Sequence, residues 1–316
     1  MTVSGRPTAV VAVGGNALSP AGESATIENQ FRHTRESMEP IVAFVARGWN
    51  VAVVHGNGPQ VGDALLRNER AREEVSELPL GVLVASTAGW IGYMMQQSLQ
   101  NALERAGAGR HVVTLVTQVL VDTADPVGRE PRKFIGRGVS AELADTLREE
   151  GIQIELDDRD RLRRRVASPD PVRIVEAPLI ATLVEKGCVV IAAGGGGTPV
   201  YRDPDLGLER LDVVIDKDLA ASILAHEIRA SVLLILTDVD GVYTGYGTPE
   251  ARRLERLRVD EARALIDSGE LGAGSMQPKV RAAVQFVEGG GDRAIIAALE
   301  DAPGAIQGGS GTWIVP

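Results

Sequence analysis

The chain has 316 residues, with 33 basic and 43 acidic side chains, a formal charge of −10, 44% hydrophobic residues and 24% charged ones. This is ordinary globular composition at a length near the ceiling for one hydrophobic core, and it excludes a disordered chain or a coiled coil. The acidic balance and only 3% aromatic residues argue against nucleic acid as a partner, since such a surface needs a basic stripe and stacking platforms.

In chain order, Val- and Ile-rich runs predict buried strands at Ala9–Val13, Val51–Val54, Val112–Val116, Val189–Ala193, Val232–Leu236 and Ala294–Ala297. Helical patterns run over Glu28–Arg47, Ala88–Ala106, Asp218–Arg229 and Pro278–Glu288, the last with Pro in its first turn and Gly289 after its end. The intervals between strands are long enough for crossover helices, which predicts a doubly wound α/β fold with a mainly parallel sheet covered on both faces. From Asp122 to Pro171 the chain is charged and punctuated by proline. We read 122–171 as a protruding lobe, a candidate lid, inserted in one domain spanning 1–316. The single cysteine, Cys188, sits in an apolar run and reads as a small core residue, which excludes an internal disulfide framework. There is no zinc-ligand spacing, no signal-like N-terminus and no apolar run of membrane-spanning length, so a soluble cytoplasmic protein with no membrane partner is expected.

Four glycine-rich turns follow predicted strands: Gly14-Gly15-Asn16, His55-Gly56-Asn57-Gly58-Pro59-Gln60, Gly194 to Gly197, and Thr237-Asp238-Val239-Asp240-Gly241-Val242-Tyr243. In an open parallel sheet these turns lie at the carboxyl edge, where ligands bind. Glycine lets backbone N–H groups approach an anion, so the expected ligand is rich in phosphate or carboxylate. No G-x-G-x-x-G opens a helix, Gly-Lys does not occur, and G-x-S-x-G is absent, which disfavours a dinucleotide oxidoreductase, a P-loop and a serine hydrolase elbow.

Of the 33 basic residues only Lys133, Lys186, Lys217 and Lys279 are lysine, and the other 29 are arginine. A compact ammonium is therefore kept at few places. Lys217 opens a predicted helix between two carboxylates, Asp216 and Asp218, that would keep it protonated and oriented. Lys279 lies in the first turn of another helix, where a cation opposes the helix dipole and suggests an anion nearby. Together they suit phosphoryl transfer, which needs positioning and charge neutralisation.

The segments VVAVGGNAL, VVHGNGPQVGDALL, GWIGYMMQQSL, LVTQVLVD, AAGGGGTPV, LDVVIDKDLAASILA, LILTDVDGVY, GSMQPKVRAAVQFVEGGGDRAII and GSGTWI, in this order from Val10 to Val315, resemble the carbamate kinases of the amino acid kinase family. Ala12 stands where more distant relatives have a lysine before the first glycine turn. The resemblance implies a three-layer αβα sandwich with an open, mainly parallel sheet and a small lobe. It also implies a homodimer, and reversible transfer between MgATP and carbamate giving ADP and carbamoyl phosphate, often ATP-forming at the end of arginine breakdown. It assigns catalysis to Lys217, Lys279, Asp218, Lys133, Asn16 and Gly15, with Asp218 orienting the lysines and Lys133 reaching in from the lobe. Gly14, Gly56, Asn57, Gly58, Gly195 and Gly196 would hold the transferred group and substrate. Asp216, Thr237, Asp238, Val239, Tyr243 and Met276 would face ATP or ADP within a nucleotide half at 211–316, with Mg²⁺ accompanying the nucleotide and no protein metal ligand assigned.

Carbamate is already an anion, so its oxygen attacks without a general base, and His55 reads as structural, donating to a nearby carbonyl. The sequence departs from the family in the lobe. Lys133-Phe134-Ile135-Gly136-Arg137 replaces Lys-Pro-Ile-Gly-Pro, Arg161-Leu162-Arg163 replaces a Gly, aromatic, Arg stretch, and Ala88 stands where Gln is common. Two alternatives remain open on this reading: a kinase of the same fold acting on another small carboxylate or phosphate, and a non-catalytic sensor of nucleotide or carbamoyl phosphate.

Overall fold

The computed structural model describes residues 5–20, 22–124, 129–157, 159–271 and 276–316, without the side chains of Asn16 and Pro303. The chain begins with β1 (Thr8–Val13), α1 (Gly15–Leu18), α2 (Ile27–Ala46), β2 (Asn50–His55), α3 (Gly58–Arg70), α4 (Leu80–Arg105), β3 (Val112–Thr114) and β4 (Gln118–Val121). It continues through β5 (Pro131–Ile135), α5 (Ala141–Glu149), β6 (Ile154–Leu156), β7 (Leu162–Ala167), β8 (Pro171–Ile174), α6 (Ala177–Glu185) and β9 (Val189–Ile191). A 3₁₀ turn over Gly194–Gly196 leads to β10 (Thr198–Asp203), β11 (Gly207–Arg210), α7 (Lys217–Glu227), β12 (Val232–Thr237), β13 (Val242–Thr244), β14 (Arg252–Leu254) and β15 (Arg256–Arg258). The last elements are α8 (Val259–Asp267), α9 (Met276–Glu288), β16 (Arg293–Ala298), α10 (Ala302–Ala305) and β17 (Thr312–Val315).

Eight strands form the central sheet in the order β15-β17-β16-β12-β1-β2-β9-β3. The six from β16 to β3 run parallel, and β17 turns back against β16. Strands such as β2 are buried at every residue, as a sheet covered on both faces requires. Alternation along β1 divides the core: Val10 and Ala12 pack with residues of α6, α7 and α9, while Ala9, Val11 and Val13 pack with those of α2, α4 and α10. This is the three-layer αβα sandwich.

Several boundaries differ from the sequence expectation. The helix expected from Ala88 begins at Leu80, after Pro79 as its N-cap, so Gly81 and the β-branched residues beside it are absorbed into a long core helix. The strand after Cys188 stops at Ile191 because Ala193 takes a left-handed backbone, φ 47°, to enter the glycine run. The second glycine turn feeds straight into α3, with Pro59 in its first turn.

Within 122–171, β5, β7 and β6 form a separate three-stranded sheet with α5 beside it. At its neck β4 pairs antiparallel with β8, in a second sheet ordered β11-β10-β4-β8. Residues 125–128 and 158 of the expected lobe lie outside the described residues.

Candidate active site

Strands β9, β2, β1 and β12 are consecutive parallel neighbours, so the four glycine turns after them share one edge. They touch. A Cβ on Gly56 would lie 3.0 Å from the Gly15 nitrogen and 3.1 Å from Lys217 Cδ, so glycine lets the first two turns and the Lys217 stem converge. A Cβ on Gly195, whose φ is +70°, would lie 2.3 Å from Asn57 Nδ2, and one on Gly196, φ +90°, would lie 2.4 Å from the Ile215 carbonyl oxygen. The third turn is thus a floor under Asn57. Asn57 Nδ2 donates to Thr87 Oγ1 at 2.9 Å, and that hydroxyl lies 2.8 Å from the Leu83 carbonyl on α4. Gly14 caps α1, and Gly58 opens α3 and accepts from the Gly136 amide at 2.9 Å. Asn16 is in α1, but its side chain lies outside the described residues.

The lysines meet over this floor. Asp216 is the N-cap of α7, accepting from the Asp218 amide at 2.8 Å, which sets Lys217 at the first helical position. Lys217 Nζ donates to Asp218 Oδ1 at 2.5 Å and Lys279 Nζ, from α9, to Asp218 Oδ2 at 3.0 Å. Lys133 on β5 pairs with Asp216. Three ammonium groups therefore share two carboxylates and leave an excess of one positive charge. Burial raises the Asp218 carboxyl, but Lys217 and Lys279 outweigh it and hold the group below its ordinary range. Asp216 behaves likewise, with Lys133 the main counterweight.

The two lysines divide in a way that spacing does not reveal. Burial pulls Lys217 below its ordinary value, with repulsion from Lys279 adding to it, despite the flanking carboxylates. Burial acts on Lys279 too, but Asp218 and Asp216 prevail and raise it. The anion beside Lys279 is accordingly Asp218. An arriving anion would favour the charged form of Lys217.

On the fourth turn, Thr237 Oγ1 donates to Asp238 Oδ1 at 3.2 Å, and Asp238 pairs with Arg159 of the lobe at 3.4 Å. Val239 follows, half-buried. Tyr243 donates to Asp240 at 2.8 Å and meets Tyr246 edge to face. Met276 opens α9, three residues before Lys279, and packs on the core. Gly274 and Ser275 lie outside the described residues.

His55 is fully buried, its Nδ1 facing the Gly56 carbonyl at 3.1 Å. Burial, partly offset by that hydrogen bond, pushes its pKa down to about 4, so the ring is neutral. Its place is structural: a Cβ on Gly194 would lie 2.5 Å from His55 Nε2 and 3.0 Å from Ala88 Cβ. Cys188 is half-buried against the core.

The lobe's departures from the family pattern find partners both inside the lobe and on the main domain. The Phe134 ring is flanked by Arg163 and Arg165, 5.7 and 5.3 Å from its centroid. Arg161 and Arg163 both bind Asp157. Arg137 donates to Ser19 Oγ at 2.6 Å and approaches Asp63 at 3.6 Å. Three contributors carried no sequence signal: Thr87 behind Asn57, Arg159 opposite Asp238, and Gly62, where a Cβ would lie 2.0 Å from Gly136 Cα of the lobe. Each depends on residues dozens of positions apart.

Residues 7–298 match the amino acid kinase family. The chain is 44% identical over 310 residues to a carbamate kinase of Pyrococcus furiosus, covering 97% of this chain and 98% of that one. Its fold superposes on the structure of carbamate kinase from Giardia lamblia bound to citric acid with a TM-score of 0.92 at 37% identity, covering 98% of each chain. For the same Giardia protein bound to AMP-PNP the TM-score is 0.89 at 38% identity, again covering 98% of each chain.

Proposed function

The chain belongs to the amino acid kinase family, and from that premise we propose that it is a carbamate kinase whose transfer centre is the Lys217, Asp218 and Lys279 cluster. The observation that carries the assignment of the centre is the cluster of cations: among the described residues Lys133, Lys217 and Lys279 form ion pairs with two carboxylates, Asp216 and Asp218, at the carboxyl edge of the sheet. Phosphoryl transfer through a loose transition state asks for this, since charge spreads over the phosphoryl oxygens and the leaving group.

In one direction a carbamate oxygen attacks the γ-phosphorus of ATP while the bond to the ADP oxygen breaks; in the other, an ADP oxygen attacks carbamoyl phosphate. The backbone of Gly14, Gly15, Gly56 and Asn57 cradles the moving group, with Gly195 packed under the Asn57 side chain and Gly196 against the Ile215 carbonyl. Lys217 and Lys279 neutralise the phosphoryl and leaving-group oxygens, and Asp218 fixes both ammonium groups. No side chain needs to take a proton, because the attacking oxygen is already anionic. The turn Thr237 to Asp240, with Tyr243 and Met276, forms the nucleotide side within 211–316, in keeping with AMP-PNP on the Giardia relative. Among the described residues no group of three or more His, Cys, Asp or Glu side chains could hold a metal. Mg²⁺ would accompany the nucleotide and offset the charge of its phosphates.

We place the lobe over the substrate as a lid, with Lys133 as its contact, and the physiological direction as ATP formation at the end of arginine breakdown, carbamoyl phosphate being an activated mixed anhydride. No helix among the described residues is long and apolar enough to cross a membrane; a cytoplasmic setting fits the lone Cys188. A homodimer fits the exposed apolar side chains Val75, Leu78, Val82 and Tyr93 on and before α4. The test is ATP formation from carbamoyl phosphate, ADP and Mg²⁺ by purified protein. Appearance of ATP is expected, and its absence with ADP bound would refute the reading.

A further inference from the structure

One short segment of the lobe, Lys133 to Arg137, meets the main domain along its length. Lys133 pairs with Asp216 beside the other two lysines. Two residues on, Ile135 is 2% exposed and packs with Val61 of α3 and Leu83 and Val84 of α4. Gly136, with φ +74°, donates its amide to the Gly58 carbonyl at 2.9 Å. Arg137 then crosses to the chain that follows the first glycine turn. Its Nη2 donates to Ser19 Oγ at 2.6 Å and its Nη1 to the Glu23 carbonyl at 3.5 Å, while Nε, shielded from solvent, faces Asp63 at 3.6 Å. Ser19 is 7% exposed and is the C-cap of α1, its amide donating to the Gly15 carbonyl at 3.1 Å. Two hydrogen bonds therefore lead from Arg137 to Gly15.

We propose that Arg137 is a positioning residue: it seats Lys133 at the transfer centre and ties that seating to the Gly14-Gly15 turn. The proposal rests on the reading of Lys133 as the lobe's contact with substrate. Apolar packing at Ile135 is non-directional, so it holds the strand down without fixing how the strand is turned. A guanidinium carries its donors in a rigid planar fork, and here the fork spans Ser19, Glu23 and Asp63, which fixes the angle. Farther along α3, Arg164 pairs with Glu69 and Arg72 with Glu150; these join the lobe to the main domain without reaching a glycine turn. Arg137 acts through Lys133 and Gly15, and not on the substrate itself.

The test combines steady-state ATP formation with hydrogen–deuterium exchange on the full chain. Arg137→Met should raise KM for carbamoyl phosphate about threefold to tenfold, the scale of one charge-assisted hydrogen bond, with KM for ADP unchanged and Arg137→Lys intermediate. In a Lys133→Ala background the same substitution should change that KM less than about twofold, because the group it positions is gone. Exchange across 131–137 should rise about tenfold in Arg137→Met while α7 and α9 keep their protection. Should Arg137→Met fail to fold, Ser19→Ala removes the acceptor, leaves the lobe sequence intact and carries the same readouts. An unchanged KM, equal effects with and without Lys133, or unchanged exchange overturns the proposal. A wild type that makes no ATP refutes the kinase reading instead, and exchange alone then decides whether Arg137 seats the segment.

Discussion

The two parts that close on the carboxyl edge are built differently. Lys217, Asp218 and Lys279 stand on α7 and α9, helices of the core, with side chains only 12%, 3% and 11% exposed. The lobe's contact with the fourth turn, Arg159 with Asp238, is 58% and 51% exposed, and Lys133 is intermediate at 30%. Charges fixed in a dry, packed frame act on a transition state without reorganising, whereas exposed pairs are screened and easily exchanged for water. On the proposed reading the core carries the transfer and the lobe covers it, anchored by the part-buried pair of Arg164 with Glu69 on α3.

The sharpest way to break that contrast is Asp218→Asn. It strands two buried lysines, so kcat should fall about 10²–10³-fold, the range for removing one preorganised partner. Loss of a buried ion-pair member should also cost about 3–5 kcal/mol in denaturant unfolding. A mild loss would place Asp218 outside the transfer device.

His55 tests the core frame through pH. Its folded pKa of about 4 lies below the ordinary 6.5, so the unfolded chain binds the extra proton between those values. The stability it contributes is complete above pH 6.5 and is lost as pH falls towards 4, on the order of 3 kcal/mol. Denaturant unfolding across this window should lose that slope in His55→Gln, and an unchanged slope would contradict a buried neutral imidazole.

In the lobe, Lys133→Ala should raise KM for carbamoyl phosphate about tenfold while kcat changes less, since a lid contact mainly serves capture. A loss of kcat equal to that of Asp218→Asn would erase the distinction between core and cover. The smallest effect is expected for Arg159→Gln: within about 1 kcal/mol on lobe docking, and diminishing with added salt. Steady-state kinetics at two ionic strengths read it directly.

Legibility in the sequence followed the same divide. The strands under the glycine turns carry continuous Val and Ile runs, and each turn directly follows its strand, so their common edge could be inferred from local pattern and the rule for parallel sheets. The convergence of Lys217 on Asp218 was legible because the two are adjacent. The opposite pKa directions of Lys217 and Lys279 were not, since they depend on burial and on each lysine's distance from both carboxylates. Gly62 against Gly136, and Asn57 against Gly195, are contacts between distant segments with no local signature. The early start of α4 was hidden by Gly81, a poor helix former that fits because a Cβ there would lie 2.7 Å from the Leu211 carbonyl oxygen.

The most direct test of the central claim compares ATP formation from carbamoyl phosphate and MgADP by the wild type and Lys217→Ala, with ADP affinity measured by calorimetry on both. The account predicts a wild type that makes ATP and a folded variant that binds ADP yet is slowed by about 10² or more. A variant as fast as the wild type would remove Lys217 from the transfer centre and contradict the account.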